Sequence, residues 1–265
     1  MGSGYTTIDY RVEDHIATVK LNRPESGNAL LTITSYREVQ DAFERAGKDP
    51  EVRAVVLTGA GRHFSTGGDI VDMKMHVEQN VSVREDEVSP TGDMSIAIRN
   101  CPKPTVAMVN GAAAGAGAGA ALACDFRVLS EDSKLIFAFV NVALTGDSCT
   151  MYFLARMVGC AKAAEWMMLG SVVGAEECKA RGLATQVVPA GSLEEAAYTL
   201  AKRLAAGPTA TYVLQKKVMN DLFFRDLERC RDLEAASMSA ASDTEDFREA
   251  VTAFLEKRKP CFIGK

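Results

Sequence analysis

The chain has 265 residues, of which 47% are hydrophobic and 25% are charged, and its formal net charge is -5. This composition is typical of a globular protein with a sizeable core and excludes an intrinsically disordered chain. The negative net charge argues against nucleic acid as a partner, because binding to a phosphate backbone requires a basic surface.

The first predicted elements have the order β-β-α-β. Residues 6–12 and 15–21 alternate apolar and polar side chains, which predicts a β-hairpin. Apolar residues at helical spacing over 30–46 predict a helix that ends before Pro50, and a strand is predicted over 54–58.

The middle of the chain continues this α/β pattern. Strands are predicted over 105–109 and 126–129, and the short helices between strands favour parallel pairing. The polar segment 71–98, with its Ser-Pro-Thr-Gly break, is expected to be a solvated connection or a mobile wall of a binding site. After Asp147 the spacing predicts helices over 149–157, 161–169, 175–180, 193–206 and from 210 to the end.

Two glycine-rich segments could present free backbone N–H groups to a ligand. Gly67-Gly68 follows a strand, where it forms either a plain turn or a close approach to a ligand. Residues 109–125 lead a strand into a helix N-terminus, which favours negative charge. This segment also fits a dinucleotide-binding pattern, but its helix has room for only about two turns, so we reject that reading. Its run of Gly and Ala is also too short and weakly hydrophobic for a membrane span.

A third segment, residues 137–147, is an apolar run that ends in a single carboxylate, Asp147. An Asp in this position can cap the following helix by accepting backbone N–H bonds. The local sequence alone favours this capping role over a chemical one.

The cysteines and histidines indicate the cellular compartment of the protein and whether it binds a metal ion. The seven cysteines form no C-x-x-C pair, which favours reduced thiols in a reducing compartment. The three histidines are not paired at i,i+4 spacing, so no metal site is expected. Since the N-terminus also has no targeting pattern, we expect a cytoplasmic protein.

Segments from nearly the whole chain, taken in order, resemble the enoyl-CoA hydratase/isomerase family, also called the crotonase family. The motifs that carry the resemblance are Leu21-Asn-Arg-Pro with Asn28-Ala-Leu30, Val55-Val-Leu-Thr-Gly, Phe64-Ser-Thr-Gly-Gly-Asp, Lys103-Pro with Val109-Asn-Gly, Cys124-Asp, and Ala175-x-x-x-Lys-Ala-x-Gly-Leu183 with Val187-x-Pro189. The resemblance implies an α/β fold, a crotonase-like spiral of β-β-α units with a helical C-terminal region that makes trimers, often paired into hexamers. The corresponding regions are 1–200 for the core with the acyl-CoA site and 201–265 for the C-terminal helices.

The family resemblance also implies the substrate and the binding residues. The substrate is an acyl-CoA thioester, so coenzyme A is part of the substrate and no separate cofactor is expected. The N–H groups of Gly68 and Ala116 would form an oxyanion hole for the thioester oxygen. Ala116 stands where the family usually has Gly, and its Cβ leads us to expect an ordinary helical or extended backbone there. The implied CoA and substrate contacts are Asn28, Thr66, Gly67, Asp69, Ile70 and Phe139.

One basic residue of the family pattern is missing. The position before Asn-Ala-Leu is Gly27 in this chain, so another cation is needed for the CoA phosphates. We expect Lys257, Arg258 or Lys259 to attract these phosphates from the same or a neighbouring subunit, unless the three residues form only a solvated basic tail.

Departures from the family pattern bear on the reaction. Family hydratases use two glutamates to activate water, and their positions align with Gly119 and Phe139 here. Asp147 aligns instead with the single acid of family members that move a double bond. One carboxylate suffices for such a shift, because it can remove a proton from one carbon and return it to another. The resemblance therefore implies isomerisation with Asp147 as the base.

The family resemblance leaves three other functions open. One is a degenerate hydratase, and another is a hydrolase or dehalogenase. The dehalogenase uses a His and a Trp, where this chain has Gly92 and Phe139. A third is a non-catalytic CoA-binding scaffold subunit that has lost its acids. Trp166 lies in a helical pattern, where we expect it to pack in the core or in an interface.

Overall fold

The computed structural model describes residues 4–30, 32–68 and 70–265. The chain opens with the predicted hairpin, in which β1, Ile8–Glu13, pairs antiparallel with β2, Ile16–Leu21. Asp14 and His15 make the turn with φ of 51° and 63°, the left-handed region that a tight two-residue hairpin turn favours. Helix α1, Ile33–Lys48, and strand β3, Ala54–Gly59, complete the predicted β-β-α-β order.

The main sheet has the strand order β1-β2-β3-β4-β6-β9, where β4 is Thr105–Val109, β6 is Phe126–Ser130 and β9 is Gln186–Val188. Neighbouring strands from β2 to β9 are parallel, which confirms the predicted pairing. Helix α8, Leu193–Ala205, packs on one face of this sheet. The boundary predicted at residue 200 lies inside α8, and the division into two regions stays a prediction.

A second sheet has the strand order β5-β7-β8, formed by Ala112–Ala114, Lys134–Ile136 and Val172–Gly174. The sequence analysis missed these strands because each has three residues, too few for an alternating pattern to show. Ser65 pairs with Ala113 in a parallel bridge. The turn after β3 is therefore tied to β5, which leads directly into helix α4, Ala116–Ala123.

Most of the segment 71–98 lies in two helices, α2, Ile70–Gln79, and α3, Glu85–Asn100. The expectation of a solvated connection is wrong for α3, most of whose residues from 88 onwards are buried. At the start of helix α3 the Arg84 N–H donates to the Glu87 carboxylate at 2.8 Å. Its apolar residues Val88, Met94 and Ile98 are buried, and this packing holds the helix through the predicted break at Pro90. The role of the segment as a wall of a binding site stays a prediction.

The chain after Asp147 is largely helical, as predicted. Its helices are α5, Thr150–Val158; α6, Cys160–Met168; α7, Ala175–Ala180; α8; α9, Thr209–Phe223; α10, Leu227–Ser242; and α11, Glu245–Leu255. Helix α10 packs against α3, and α11 packs against α2 and a 3-10 helix over Ala138–Val142. Trp166 stacks on Phe137 with ring centroids 6.0 Å apart, which confirms its packing role. Among the helices of the described residues, none is long and apolar enough to cross a membrane.

The Cys124-Asp motif is part of a buried ion-pair network. The Asp125 carboxylate accepts hydrogen bonds from Arg99 Nη2 at 2.6 Å and Lys216 Nζ at 2.7 Å. It also accepts the backbone N–H of Thr105 at 2.9 Å. The network joins α3, β4 and α9, so this motif has a structural role.

Candidate active site

The Gly67-Gly68 turn has a conformation that requires glycine. Gly67 has a φ of +83°, and a Cβ at this position would lie 2.6 Å from the carbonyl oxygen of Ala114. The turn is held by the bond from Gly67 N to Ser65 Oγ at 3.2 Å and by the bond from Leu30 N to the Gly67 carbonyl at 2.8 Å. The Gly68 N–H has no acceptor among the described residues.

The predicted CoA-binding residues around this turn differ in their exposure and in their hydrogen bonds. Asn28 is buried, and its side chain accepts the N–H of Arg23 and donates to the carbonyls of Ala60 and His63. This placement suits holding the loop in shape. Thr66 is exposed and donates to the Ser26 carbonyl at 3.3 Å. Asp69 lies outside the described residues, as does the side chain of Ile70, whose backbone begins α2.

Helix α4 supplies the second predicted donor. Ala116 is the first residue of α4, so its backbone has the ordinary helical conformation that its Cβ favours. The first intrahelical bond runs from Gly119 N to the Gly115 carbonyl at 3.1 Å, and within the described parts of the chain the Ala116 N–H has no acceptor. A Cβ on Gly67 would lie 3.5 Å from Ala116 N. The glycine turn and the positive end of the α4 dipole therefore lie side by side.

Phe139 forms a wall between this pair of amides and the Asp147 loop. Its side chain is buried, and a Cβ on Gly115 would lie 3.6 Å from Phe139 Cε1. On the other side, a Cβ on Gly146 would lie 3.9 Å from Phe139 Cε2. The ring thus lies between the residue before Ala116 and the residue before Asp147.

Asp147 does not cap the helix that follows it, so the capping interpretation is wrong. Ser148 and Cys149 have φ of 57° and 55°, and α5 begins only at Thr150, with Cys149 as an N-cap that makes no side-chain capping bond. Asp147 Oδ1 is buried and has no hydrogen-bond partner among the described residues. Burial raises the pKa of the Asp147 carboxyl to about 6. The nearby Ser148 hydroxyl has a smaller effect that lowers this pKa.

The packing of α4 excludes a side chain at position 119. A Cβ on Gly119 would lie 2.5 Å from Ser148 Cβ and 2.7 Å from Thr150 Oγ1. The Asp147 loop therefore closes directly on α4 where the family hydratases carry a glutamate. Position 92 is equally crowded, since a Cβ there would lie 2.5 Å from Arg231 Cγ. A histidine at that position would have no room.

Glu234, on α10, is a second carboxyl group near Asp147 that the sequence analysis missed. Its Oε2 accepts the N–H of Cys149 at 2.7 Å, and its Oε1 is buried without a partner in the described structure. Burial, together with the neighbouring Cys230 and Asp147, raises the pKa of Glu234 to about 10. No local motif marks this residue, because only the packing of α10 brings it to the Asp147 loop.

The same place holds a group of atoms that can bind a metal ion. The sulfur atoms of Cys149 and Cys230 and a Glu234 carboxylate oxygen lie within 4.8 Å of one another, among the described residues. This set was not expected from the sequence, because its members are distant along the chain. It supplies three ligands, whereas a closed structural zinc site has four.

The basic tail follows α11. Lys257 is exposed and has a φ of 55°. Arg258 is bound to Glu249 by two bonds, at 2.6 Å and 2.8 Å, which leaves it less available for a phosphate. The role of Lys257 toward CoA stays a prediction.

Comparisons with known proteins agree on one family over nearly the whole chain. A family model described as "Enoyl-CoA hydratase/isomerase" matches residues 11–265. "Probable enoyl-CoA hydratase" of Rhodobacter capsulatus is 37% identical, over 98% of this chain and 99% of the relative. "1,2-epoxyphenylacetyl-CoA isomerase" of Escherichia coli is 33% identical, over 96% of this chain and 97% of the relative. A crystal structure of an enoyl-CoA hydratase from Mycobacterium avium subsp. paratuberculosis is 32% identical, with a TM-score of 0.88 over 98% of this chain and 99% of that chain.

Proposed function

The chain belongs to the enoyl-CoA hydratase/isomerase family, and we propose that it moves the double bond of an enoyl-CoA thioester with Asp147 as the proton-transfer base. Coenzyme A is part of the substrate, and the reaction needs no separate cofactor. The observation that carries the proposal is the Asp147 carboxylate, whose buried Oδ1 has no partner among the described residues.

The thioester oxygen binds the N–H groups of Gly68 and Ala116. Both donors are backbone groups, fixed by the glycine turn and by the start of α4. They stabilise the negative charge that develops on the oxygen when the substrate becomes an enolate, and they need no rearrangement during the reaction. The α4 dipole adds to this effect at Ala116.

Asp147 performs both proton transfers. Its carboxylate removes a proton from the α-carbon of the thioester, the electrons spread into a dienolate, and the same carboxyl returns the proton to the γ-carbon. Because its pKa is raised to about 6, Asp147 is mainly ionised at neutral pH and is a stronger base than a solvated Asp. The positions that the resemblance aligns with the two acids of hydration are Phe139 and the crowded Gly119, which supports isomerisation.

Hydration is the second candidate, and Glu234 is the observation that favours it. Asp147 and Glu234 are two carboxyl groups that interact, so together they could hold a water molecule. One oxygen of Glu234 is already occupied by the Cys149 N–H, which limits this role.

The proposal extends to assembly. Leu214, Val218 and Leu222 lie on one stripe of α9 and are 65%, 57% and 64% exposed in the single chain. Such a stripe is typical of a surface covered by another subunit. We propose a homotrimer or hexamer in which Lys257 lies near the CoA phosphates, and a cytoplasmic location.

A panel of 3-enoyl-CoA and 2-enoyl-CoA thioesters of different chain lengths tests the reaction, with products separated by liquid chromatography and weighed by mass spectrometry. Isomerisation gives a product of unchanged mass, whereas hydration gives a product heavier by one water. We expect the isomer. Hydrated product from 2-enoyl-CoA without isomerisation of 3-enoyl-CoA would refute the proposal, and binding without turnover would favour the scaffold.

A further inference from the structure

Cys149 and Cys230 form a pair of thiols beside the Asp147 loop. Their sulfur atoms lie within 4.8 Å of each other, and both cysteines are free. Cys149 follows Asp147 by two residues and is fully buried, whereas Cys230 is partly exposed on α10. The two thiols therefore differ in their access to solvent.

Cys230 lines a cavity of about 530 Å³ between α5 and α10, together with Met151, Tyr152, Arg156, Leu233 and Glu234. A small oxidant can reach its sulfur through this cavity. The guanidinium of Arg156 lies 3.4 Å from the centre of the Tyr152 ring and places a positive charge in the same wall. Cys230 is therefore the solvent-accessible thiol of the pair.

Cys149 is held against α10 on both sides of Cys230. Its backbone N–H donates to Glu234, and its sulfur donates to the Leu227 carbonyl at 3.7 Å. Cys230 and Glu234 are four residues apart, so they share one face of α10. An accessible thiol, Cys230, thus faces a protected thiol, Cys149, that can resolve it.

We propose that Cys230 and Cys149 are an oxidative modification site, in which a peroxide converts the two thiols into a disulfide that clamps the Asp147 loop to α10. The Cys230 sulfur gives up its proton and attacks one oxygen of hydrogen peroxide, the O–O bond breaks, and hydroxide leaves, which gives a sulfenic acid. The Cys149 sulfur then displaces the hydroxyl group, and the two protons released complete two water molecules. Two thiols lose two electrons in total, and the peroxide gains them.

Disulfide formation changes the Asp147 loop, because the sulfur atoms must close to about 2.05 Å. This movement pulls on Cys149 in its left-handed turn and on its bond to Glu234. We expect turnover to fall ~10- to 100-fold, since small displacements of catalytic groups have effects of this size. That consequence rests on the proposed role of Asp147, whereas formation of the disulfide does not.

The test treats the full-length protein with hydrogen peroxide in the presence of a chelator, blocks free thiols by alkylation, and maps the peptides by mass spectrometry. We expect a peptide pair linked through Cys149 and Cys230, with a loss of about 2 Da that dithiothreitol reverses. In Cys149→Ser, Cys230 should stop at a sulfenic acid that dimedone traps. In Cys230→Ser, Cys149 should stay reduced. The exposed Cys261 is the matched control, and Cys261→Ser should form the same linked pair.

Two results would overturn the proposal. One is that Cys149 and Cys230 stay unlinked at peroxide concentrations that oxidise Cys261. The other is that either cysteine forms disulfides with Cys261 or Cys160 to the same extent as with its proposed partner. A linked pair with unchanged turnover would refute the inferred clamp on Asp147. If peroxide lowered the turnover of every variant, including Cys230→Ser, the clamp would likewise be refuted, because the loss would then not depend on this pair.

Discussion

Replacing Asp125 by Asn should destabilise the fold by ~3 to 5 kcal/mol. The Asp125 carboxylate accepts from Arg99 at 2.6 Å and from Lys216 at 2.7 Å, and these two side chains are only 3% and 8% exposed. An amide keeps the shape but removes the negative charge, so two buried cations lose their partner. That loss is a large fraction of the ~5 to 15 kcal/mol by which a protein is usually stable.

The effect of Asp125 should also depend on pH. Burial opposes ionisation of Asp125, but Lys216 and Arg99 outweigh this effect and hold its pKa below the usual value. Because the folded pKa lies below the unfolded value of about 3.9, the stabilisation is complete above that pH and is lost as the pH falls through the folded pKa. The difference between the wild type and Asp125→Asn should therefore shrink in strong acid.

Urea unfolding at neutral pH measures this prediction, with Asp221→Asn as the matched control. Asp221 pairs with Lys217 on the surface, where the side chains are 62% and 68% exposed, so the control should change stability by at most ~1 kcal/mol. If Asp125→Asn unfolds at the same urea concentration as the control, the buried network does not stabilise the fold as argued.

Three further predictions concern the site and the assembly. The value of kcat/KM for isomerisation should rise with pH through about 6, because the base must be ionised; a flat profile across this range would contradict it. Gly68→Pro removes one N–H and also strains the turn, so in a variant whose folding is confirmed by thermal unfolding it should slow turnover ~100- to 1,000-fold; an unchanged rate would place the oxyanion hole elsewhere. The double variant Leu214→Glu and Leu222→Glu should be monomeric in light scattering, unlike the wild type and the exposed control Lys217→Glu; a monomeric wild type would refute the assembly.

The sequence predicted the elements whose patterns are long and have clear ends. Strand β4 was predicted over its observed bounds, 105–109, because its β-branched residues are bounded by Pro104 and by Asn110-Gly111. The helices over 71–98 were missed because their surface is largely polar. The packing of buried apolar residues, such as Met94 and Ile98, stabilises α3 against neighbouring elements.

The candidate site was predictable only where the local sequence carried a signal. A glycine turn and a helix start indicated backbone donors, and the family resemblance assigned them to Gly68 and Ala116. The local sequence misled at Asp147, since the left-handed turn at Ser148 and Cys149 moves the helix start away from the carboxylate. Glu234 could not be predicted at all, because tertiary packing alone brings α10 to this loop.

The central claim is that Asp147 is the proton-transfer base, and exchange of the α-proton tests it most directly. Wild type, Asp147→Asn and the surface control Asp221→Asn would each be incubated with a 3-enoyl-CoA in D2O, and deuterium uptake at the α-carbon followed by mass spectrometry. Asparagine keeps the shape of the side chain but cannot take up the proton. We expect exchange at the wild-type rate in the control and a loss of ~100- to 10,000-fold in a folded Asp147→Asn that still binds the thioester. Exchange at the wild-type rate in Asp147→Asn would contradict it.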